Sequence, residues 1–143
     1  MLILIAESKT MADEQRHVSP ETFAAHTPTR EQQATFIMNG LEKLSQSELA
    51  AETGLSTTLA TRLRRMIYEF PNKALGMKTI EAFTGVVFKA FDYDSLTADE
   101  KERTNDEVRV ISSLYGFLRP DDIIKPYRLD FTAKAAPGGK KLC

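Results

Sequence analysis

The residues best suited to contact a ligand lie in two neighbouring segments of this chain. The first segment runs from Ser112 to Pro120 and the second from Lys125 to Asp130. Tyr and Arg side chains combine a flat apolar body with a polar or charged tip, and Gly and Pro fix where the backbone turns. An ordinary core does not need this mixture, so the two segments are the first candidates for a binding site. Their candidate residues are Tyr115, Gly116, Arg119, Asp122, Tyr127 and Arg128.

A second group of polar residues follows the apolar run at the amino end of the chain. The run from Leu2 to Ala6 favours a strand, and Ser8, Lys9 and Thr10 come just after it. Ligands of α/β proteins often bind outside the carboxyl ends of strands. Lys9 is therefore a candidate ligand-binding residue, although a single lysine is more often an ordinary surface residue.

A third group lies on a pair of helices in the middle of the chain. The stretch from Gln46 to Ser56 has a small residue in a first helix, Gly54 in a turn and a Ser that can cap a second helix. This pattern fits a helix-turn-helix or a helix-hairpin-helix, and it fits equally well a pair of helices that only packs in the core. If the pair binds nucleic acid, the phosphate contacts are expected from Arg62, Arg64 and Arg65.

Metal and cofactor sites are not predicted. Asp121 and Asp122 are adjacent and more typical of a turn after Pro120 than of a shared metal ion. The histidines, His17 and His26, have no Cys or His at zinc-ligand spacing. The sequence has no nucleophile elbow, no phosphate-binding glycine loop and no dinucleotide fingerprint. We therefore expect no metal and no cofactor.

The elements that must position these residues indicate an α+β fold, with short strands in a small sheet packed against several helices. Leu2 to Ala6 is predicted to be a buried, central strand, and Val108 to Leu114 a second strand of the same sheet. Helices are predicted from Arg30 to Lys43 and from Thr57 to Phe70. A short third strand is expected within residues 123–129. Residues 74–91 fit a helix or a strand, with a change of element at Gly85.

Composition narrows the class of protein. The 143 residues predict one domain with a real core, and 42% hydrophobic and 27% charged residues are ordinary for a soluble protein. The net charge of -1 means that any nucleic-acid binding must come from a local basic patch. One cysteine, Cys143, excludes an internal disulfide and fits a reducing cytoplasm. No apolar run is long enough to span a membrane. Residues 135–143 read as a flexible or truncated tail.

Three blocks of the sequence resemble the YaaA peroxide-stress family of bacterial cytoplasmic proteins. They are residues 2–10, residues 82–88, and Val110 to Pro120 with its continuation through Asp122 and residues 126–129. The last block carries most of the identification. The resemblance also implies a protein nearly twice this length, so that the chain looks like the amino-terminal part of a larger single domain. A lost partner segment would leave an apolar surface exposed and favour low solubility or self-association.

The resemblance implies a role in limiting iron-dependent oxidative damage under peroxide stress. It also implies binding of double-stranded DNA through a helix-hairpin-helix and a basic cleft, for which the best positional match is Leu49 to Met66. Whether iron is bound directly is not implied by any ligand spacing in the chain.

Two functional classes follow. The first is a DNA-binding stress protein without a chemical step, whose cleft is built from Lys9, Arg62, Arg64, Arg65, Arg119 and Arg128. The second is an enzyme acting on a nucleotide or nucleic acid in the same cleft, with Lys9, Tyr115, Arg119, Asp122 and Arg128 as its site. A metal or a flipped base in the pocket would favour the second class, and a shallow basic groove with no acid of perturbed pKa would favour the first.

Overall fold

Two small sheets and seven α-helices make up residues 1–134, the part of the chain that the computed structural model describes. The fold is α+β, as predicted. The six strands are β1 (Ile3–Ala6), β2 (Arg16–His17), β3 (Leu75–Lys78), β4 (Val108–Ser112), β5 (Gly116–Leu118) and β6 (Ile123–Ile124). The helices are α1 (Pro20–Ala25), α2 (Glu31–Glu42), α3 (Gln46–Thr53), α4 (Thr57–Glu69), α5 (Thr79–Ala82), α6 (Val86–Phe91) and α7 (Ala98–Glu107). The predicted tail, residues 135–143, lies outside the described residues.

The first sheet brings the two predicted apolar strands together. Its order is β1-β4-β5, with β1 parallel to β4 and β4 antiparallel to β5. Ile3 lies opposite Val108, and Ala6 lies opposite Ile111. Because parallel strands point the same way, the residues that follow β1 and β4 meet at one edge of the sheet. The prediction that the two strands share a sheet is therefore confirmed.

The prediction that β1 is central and buried is wrong for the described part of the chain. β1 is the edge strand of its sheet, and the exposed fractions of Ile3 and Leu4 are 40% and 52%. An apolar run shows that a strand can be buried on both faces, but it carries no information about which neighbours are present. Leu2 is exposed as well, so an uncovered apolar surface does accompany β1.

The second sheet resolves the region that the sequence left undecided. Strand β3 pairs antiparallel with β2 and with β6, and the chain then turns directly into α5. Gly85 is the N-cap residue of α6 and marks the change of element expected there. The third predicted strand is shorter than expected, because only Ile123 and Ile124 pair before Pro126.

Helices α2, α3 and α4 follow the signals in the sequence. The Ser45 side chain accepts a hydrogen bond from the Glu48 amide, and Glu48 in turn accepts from the Ser45 amide, which forms a capping box for α3. Gly54 ends α3 in the left-handed conformation, with φ of 70°. The Ser56 hydroxyl then accepts a 3.3 Å bond from the Leu59 amide at the start of α4. One apolar cluster joins α2 and α4 to β4 and β5, so the helices pack around the sheet as predicted.

Candidate functional site

A cleft runs between the loop after β1, the second half of α4 and the segment that follows β6. It consists of two adjoining cavities of about 310 and 200 Å³ that share Asp13, Arg62 and Met66. We call it the α4 cleft. Its lining residues are Lys9, Thr10, Met11, Asp13, Arg62, Arg65, Met66, Glu69, Pro126, Tyr127 and Arg128. Four of these residues, Lys9, Arg62, Arg65 and Arg128, are cations that the sequence analysis gives as DNA-binding candidates.

The two arginines of α4 that line the cleft each have a carboxylate partner. Arg62 Nη2 lies 3.0 Å from both carboxylate oxygens of Asp13, and Arg65 Nε lies 2.9 Å from Glu69 Oε1. Three of the four side chains are more than half exposed, and the Glu69 side chain is 36% exposed. Exposed ion pairs contribute little stability, so a stronger anion can displace either carboxylate at small cost.

The cleft also joins two cations that are far apart in the sequence. Lys9 is exposed after β1, and Arg128 Nη1 donates a 3.2 Å hydrogen bond to the Lys9 carbonyl oxygen. Arg128 therefore holds the backbone of the loop that carries Lys9. Thr10 lines the same cavity, whereas the Ser8 hydroxyl donates to the Thr10 carbonyl at 2.6 Å and accepts from the Gly85 amide at 3.1 Å.

Arg64 lies on a different face of α4 from Arg62 and Arg65. Its guanidinium donates to the carbonyl oxygens of Glu42 at 3.1 Å and Leu44 at 2.5 Å. These carbonyls lie at the end of α2 and just beyond it, where no further helical amide is available. Arg64 thus ties the α2–α3 connection to α4.

The structure places the remaining sequence candidates around the β5–β6 connection, away from the cleft lining. Tyr115 is buried in the core, and its hydroxyl accepts a 3.2 Å bond from the Lys125 amide. Burial raises the pKa of Tyr115 above its ordinary value. Asp122 is also buried and accepts a 2.8 Å bond from the Arg119 amide, while the Arg119 side chain is exposed. Gly116 begins β5 with φ of +73°.

A cluster that sequence reasoning missed lies beside the cleft, at the carboxyl ends of β1 and β4. The carboxylate of Glu7 accepts hydrogen bonds from the Ser113 amide at 3.0 Å and from the Tyr127 hydroxyl. The Tyr127 hydroxyl lies 2.5 Å from Ser112 Oγ. We call Glu7, Tyr127 and Ser112 the Glu7 cluster. Glu7 does follow an apolar strand directly, but its partners are more than 100 residues away in the sequence.

The Glu7 cluster has shifted protonation equilibria. Burial raises the pKa of Glu7 above its ordinary value of 4.5, and the charge of Asp130 adds to this effect, although the bonds from Tyr127 and Ser113 oppose it. Burial also raises the pKa of Tyr127 well above 10, and the neighbouring Glu7 charge raises it further. Glu7 is therefore more easily protonated than a surface carboxylate.

Two structural features bear on the predicted partners. Across residues 1–134, none of the helices combines the length and the apolar character that a membrane crossing requires. Within the same residues, no three His, Cys, Asp or Glu side chains are grouped as a metal ion would need.

Comparison with known proteins assigns the chain to a family. The family model described as "Peroxide stress protein YaaA" matches residues 1–143. A "UPF0246 protein" of Shewanella sp. (strain ANA-3) is 36% identical over 147 residues, covering 99% of this chain and 56% of that protein. A "UPF0246 protein" of Parabacteroides distasonis is 33% identical over 135 residues, covering 94% of this chain and 52% of that protein.

The chain spans about half the length of these curated relatives, and the family model covers it from end to end. The residues that suggested the resemblance, including the Val110 to Pro120 block, lie inside the matched region. The chain belongs to the YaaA peroxide stress protein family.

Proposed function

We propose that this chain binds double-stranded DNA in the α4 cleft, in the bacterial cytoplasm, and thereby takes part in limiting iron-dependent oxidative damage. The observation that carries the proposal is the convergence of Lys9, Arg62, Arg65 and Arg128 from three separate segments onto one cleft. Phosphate contacts by Lys and Arg supply most sequence-independent DNA affinity. With a net charge of -1, the protein needs such a local concentration of cations.

The carboxylates in the cleft define how binding would proceed. Asp13 and Glu69 occupy the guanidinium groups of Arg62 and Arg65 in the free protein. A phosphate is a strong hydrogen-bond acceptor for guanidinium, and the pairs it replaces are exposed and weak. DNA binding therefore exchanges two internal ion pairs for two phosphate contacts. Because Asp13 and Glu69 remain in the cleft, their negative charges repel the entering phosphates.

Two parts of the α3–α4 pair could meet DNA. A helix-hairpin-helix would present the backbone amides of the turn at Gly54 and the start of α4. The α4 cleft instead runs along Arg62, Arg65 and Glu69, roughly 10–20 Å further along the helix axis. We place the phosphate contacts on the side chains of the cleft. The turn at Gly54 would contact the same duplex further along its length.

The role under peroxide stress follows from the family. Hydrogen peroxide and ferrous iron generate hydroxyl radicals, which attack DNA where they form. A protein on the duplex that keeps reactive iron away would protect the DNA beneath it. We expect fewer strand breaks in duplex DNA exposed to ferrous iron and peroxide when the protein is present in excess.

The direct test is the affinity for two unrelated DNA duplexes of equal length, measured over a range of salt concentrations. We expect equal affinities, because phosphate contacts do not read sequence. The logarithm of the affinity should fall linearly with the logarithm of salt, by about 0.9 per phosphate contact. Absence of binding at low salt, or an affinity that does not respond to salt, would contradict the proposal.

The second candidate is an enzyme acting on a nucleotide or nucleic acid in the same cleft. It is favoured by the Glu7 cluster, since shifted pKa values are frequent at catalytic sites. Of its predicted residues, Lys9 and Arg128 line the cleft, while Tyr115, Arg119 and Asp122 lie around the β5–β6 connection. Cleavage or modification of DNA during prolonged incubation would favour this candidate, and unchanged DNA the first.

A further inference from the structure

The Glu7 cluster is built as a directional chain of hydrogen bonds. Ser112 Oγ accepts from the amides of Leu114 at 3.2 Å and Tyr115 at 3.0 Å. With both lone pairs used, its hydrogen is donated to the Tyr127 hydroxyl. The Tyr127 hydrogen is then donated to Glu7. The chain of hydrogen bonds therefore ends on the carboxylate of Glu7, which accepts without donating.

This arrangement is more than is needed to hold two strands together. The amide of Glu7 already donates a 3.0 Å bond to the Ile111 carbonyl, which continues the β1–β4 ladder. A half-buried carboxylate such as that of Glu7 is a costly way to add one more link, because partial burial disfavours its charge. A neutral side chain of the same length would accept the same amide bond from Ser113. The hydrogen bonds alone therefore do not explain why a carboxyl group stands at this position.

The cluster borders the α4 cleft through Tyr127, which belongs to both. The cavity on that side holds about 200 Å³, and its lining residues include Lys9, Arg62 and Arg128. A phosphate in this cavity would meet the cations of Lys9 and Arg128, and Tyr127 links the cavity to the carboxyl group of Glu7. A ligand that fits this cavity carries an anionic group for the cations, and the rest of the ligand packs on Met11 and Met66.

We propose that the Glu7 cluster and this cavity form a proton-linked binding site for one phosphodiester-bearing nucleotide unit. Lys9 and Arg128 bind the phosphodiester, and Glu7 takes up a proton when the anion enters, because a neutral carboxyl does not repel it. The proton comes from solvent and returns there when the ligand leaves, and no covalent bond is made or broken. The inference rests on the proposed function only in taking a nucleotide as the ligand.

Among the charged groups around this site, Glu7 is the one whose protonation changes in the proposal. Lys9, Arg62 and Arg128 are the cations that line this cavity. A hydrogen bond from the Thr132 side chain lowers the pKa of Asp130, which therefore stays ionised between about pH 4.5 and 8. Burial keeps the pKa of Tyr127 far above this range. The cleft carboxylate Asp13 is paired with Arg62 and exposed.

The probe is thymidylyl-thymidine, whose single phosphodiester does not titrate between pH 4.5 and 8. Its affinity for the full chain should fall by about fivefold as pH rises through the ionisation of Glu7, the size expected for one unit charge facing another across a partly solvated cleft. Glu7→Gln should remove this step and keep the low-pH affinity. Lys9→Gln combined with Arg128→Gln should weaken binding at every pH.

A second measurement keeps the test decisive if Glu7→Gln does not fold. The carboxyl carbon of Glu7 can be titrated by nuclear magnetic resonance in the unaltered protein, with and without saturating dinucleotide. Linkage is reciprocal, so the bound ligand must raise the pKa of Glu7 if protonation favours binding. An unchanged pKa, no dinucleotide binding, or the same pH profile in Glu7→Gln would each overturn the inference.

A closed circular duplex tested beside the dinucleotide identifies the source of the nucleotide. Binding of both, each with the pH step, places the unit within DNA. Dinucleotide binding with the pH step and no binding of the duplex indicates free nucleotides, in which case this inference stands and the proposed DNA function fails. Salt-dependent duplex binding without any pH step would overturn the proton-linked site and leave the proposed DNA function standing.

Discussion

At the scale of single residues, Asp13 pairs with Arg62, which lines both cavities of the α4 cleft. Asp13 holds Arg62 with both carboxylate oxygens at 3.0 Å. Asp13→Asn removes a competing anion from the cleft, so we expect duplex affinity to rise by about two- to fivefold at low salt. Asp106→Asn, an exposed position on α7, makes the same change in net charge. Equal gains in the two variants would mean that only total charge matters.

Arg64 should act on stability instead of binding. Its guanidinium serves the carbonyls of Glu42 and Leu44, and a charged hydrogen bond of this kind contributes about 1.5–3 kcal/mol where it is shielded from water. Because Arg64 is partly exposed, we expect Arg64→Gln to lower the free energy of unfolding by about 1 kcal/mol in denaturant titrations. Weakened DNA binding with unchanged stability would contradict this assignment.

Glu7 should make the folded protein less stable as pH rises. Burial raises the pKa of Glu7 in the folded state above its ordinary value of 4.5, so the folded state binds the proton more tightly than the unfolded state. Its contribution to stability is fully present below pH 4.5 and is lost as pH rises through the folded pKa. Unfolding free energy measured from pH 4 to 8 should show this loss, and Glu7→Gln should abolish it. A variant that keeps the same pH slope would exclude Glu7 as its source.

At the scale of elements, β1 presents an apolar edge that invites pairing. Its outer edge is unpaired within residues 1–134, and Leu4 is half exposed. Exposed apolar edge strands pair with other chains, and a lysine on such an edge prevents it. Leu4→Lys should therefore reduce self-association in sedimentation velocity at rising concentration, with little change in unfolding free energy.

The matched control for this strand is Val86→Lys, which makes the same chemical change on α6, where Val86 is 84% exposed. It should leave self-association unchanged. A wild-type chain that stays monomeric at every concentration tested would contradict the role given to β1.

The sequence could predict elements where the signal is local. Ser45, Gly54 and Ser56 fix the ends of α3 and α4 through their own neighbours. The different placement of Arg64 could also be predicted from the sequence. Arg62 and Arg65 are three residues apart and therefore share one face of the helix, and Arg64 does not lie on that face. The Glu7 cluster was not accessible, because it depends on a parallel pairing between strands about 100 residues apart. The exposure of β1 could not be predicted either, because the composition of a strand does not reveal which strands or helices lie beside it.

At the scale of the whole molecule, a nearly neutral protein brings four of its 19 Lys and Arg residues to one cleft. Composition alone predicted that DNA binding would need a local patch. The fold supplies one by bringing the loop after β1 and the segment after β6 against α4. The sequence placed Arg119 in the same patch, but Arg119 is not among the residues that line the cleft and lies on the β5–β6 turn, where its amide donates to Asp122.

The central claim is that Arg62 and Arg65 carry DNA phosphates in the α4 cleft. The measurement that tests it is the salt dependence of duplex affinity for the double variant Arg62→Gln, Arg65→Gln against the unaltered protein. Arg103→Gln is the control, because Arg103 resembles Arg65 in exposure and also pairs with a glutamate four residues on, yet lies on α7. We predict weaker binding of the double variant on every duplex and a salt slope smaller by about two. Unchanged affinity and slope in the double variant, or an equal loss in Arg103→Gln, would contradict the account.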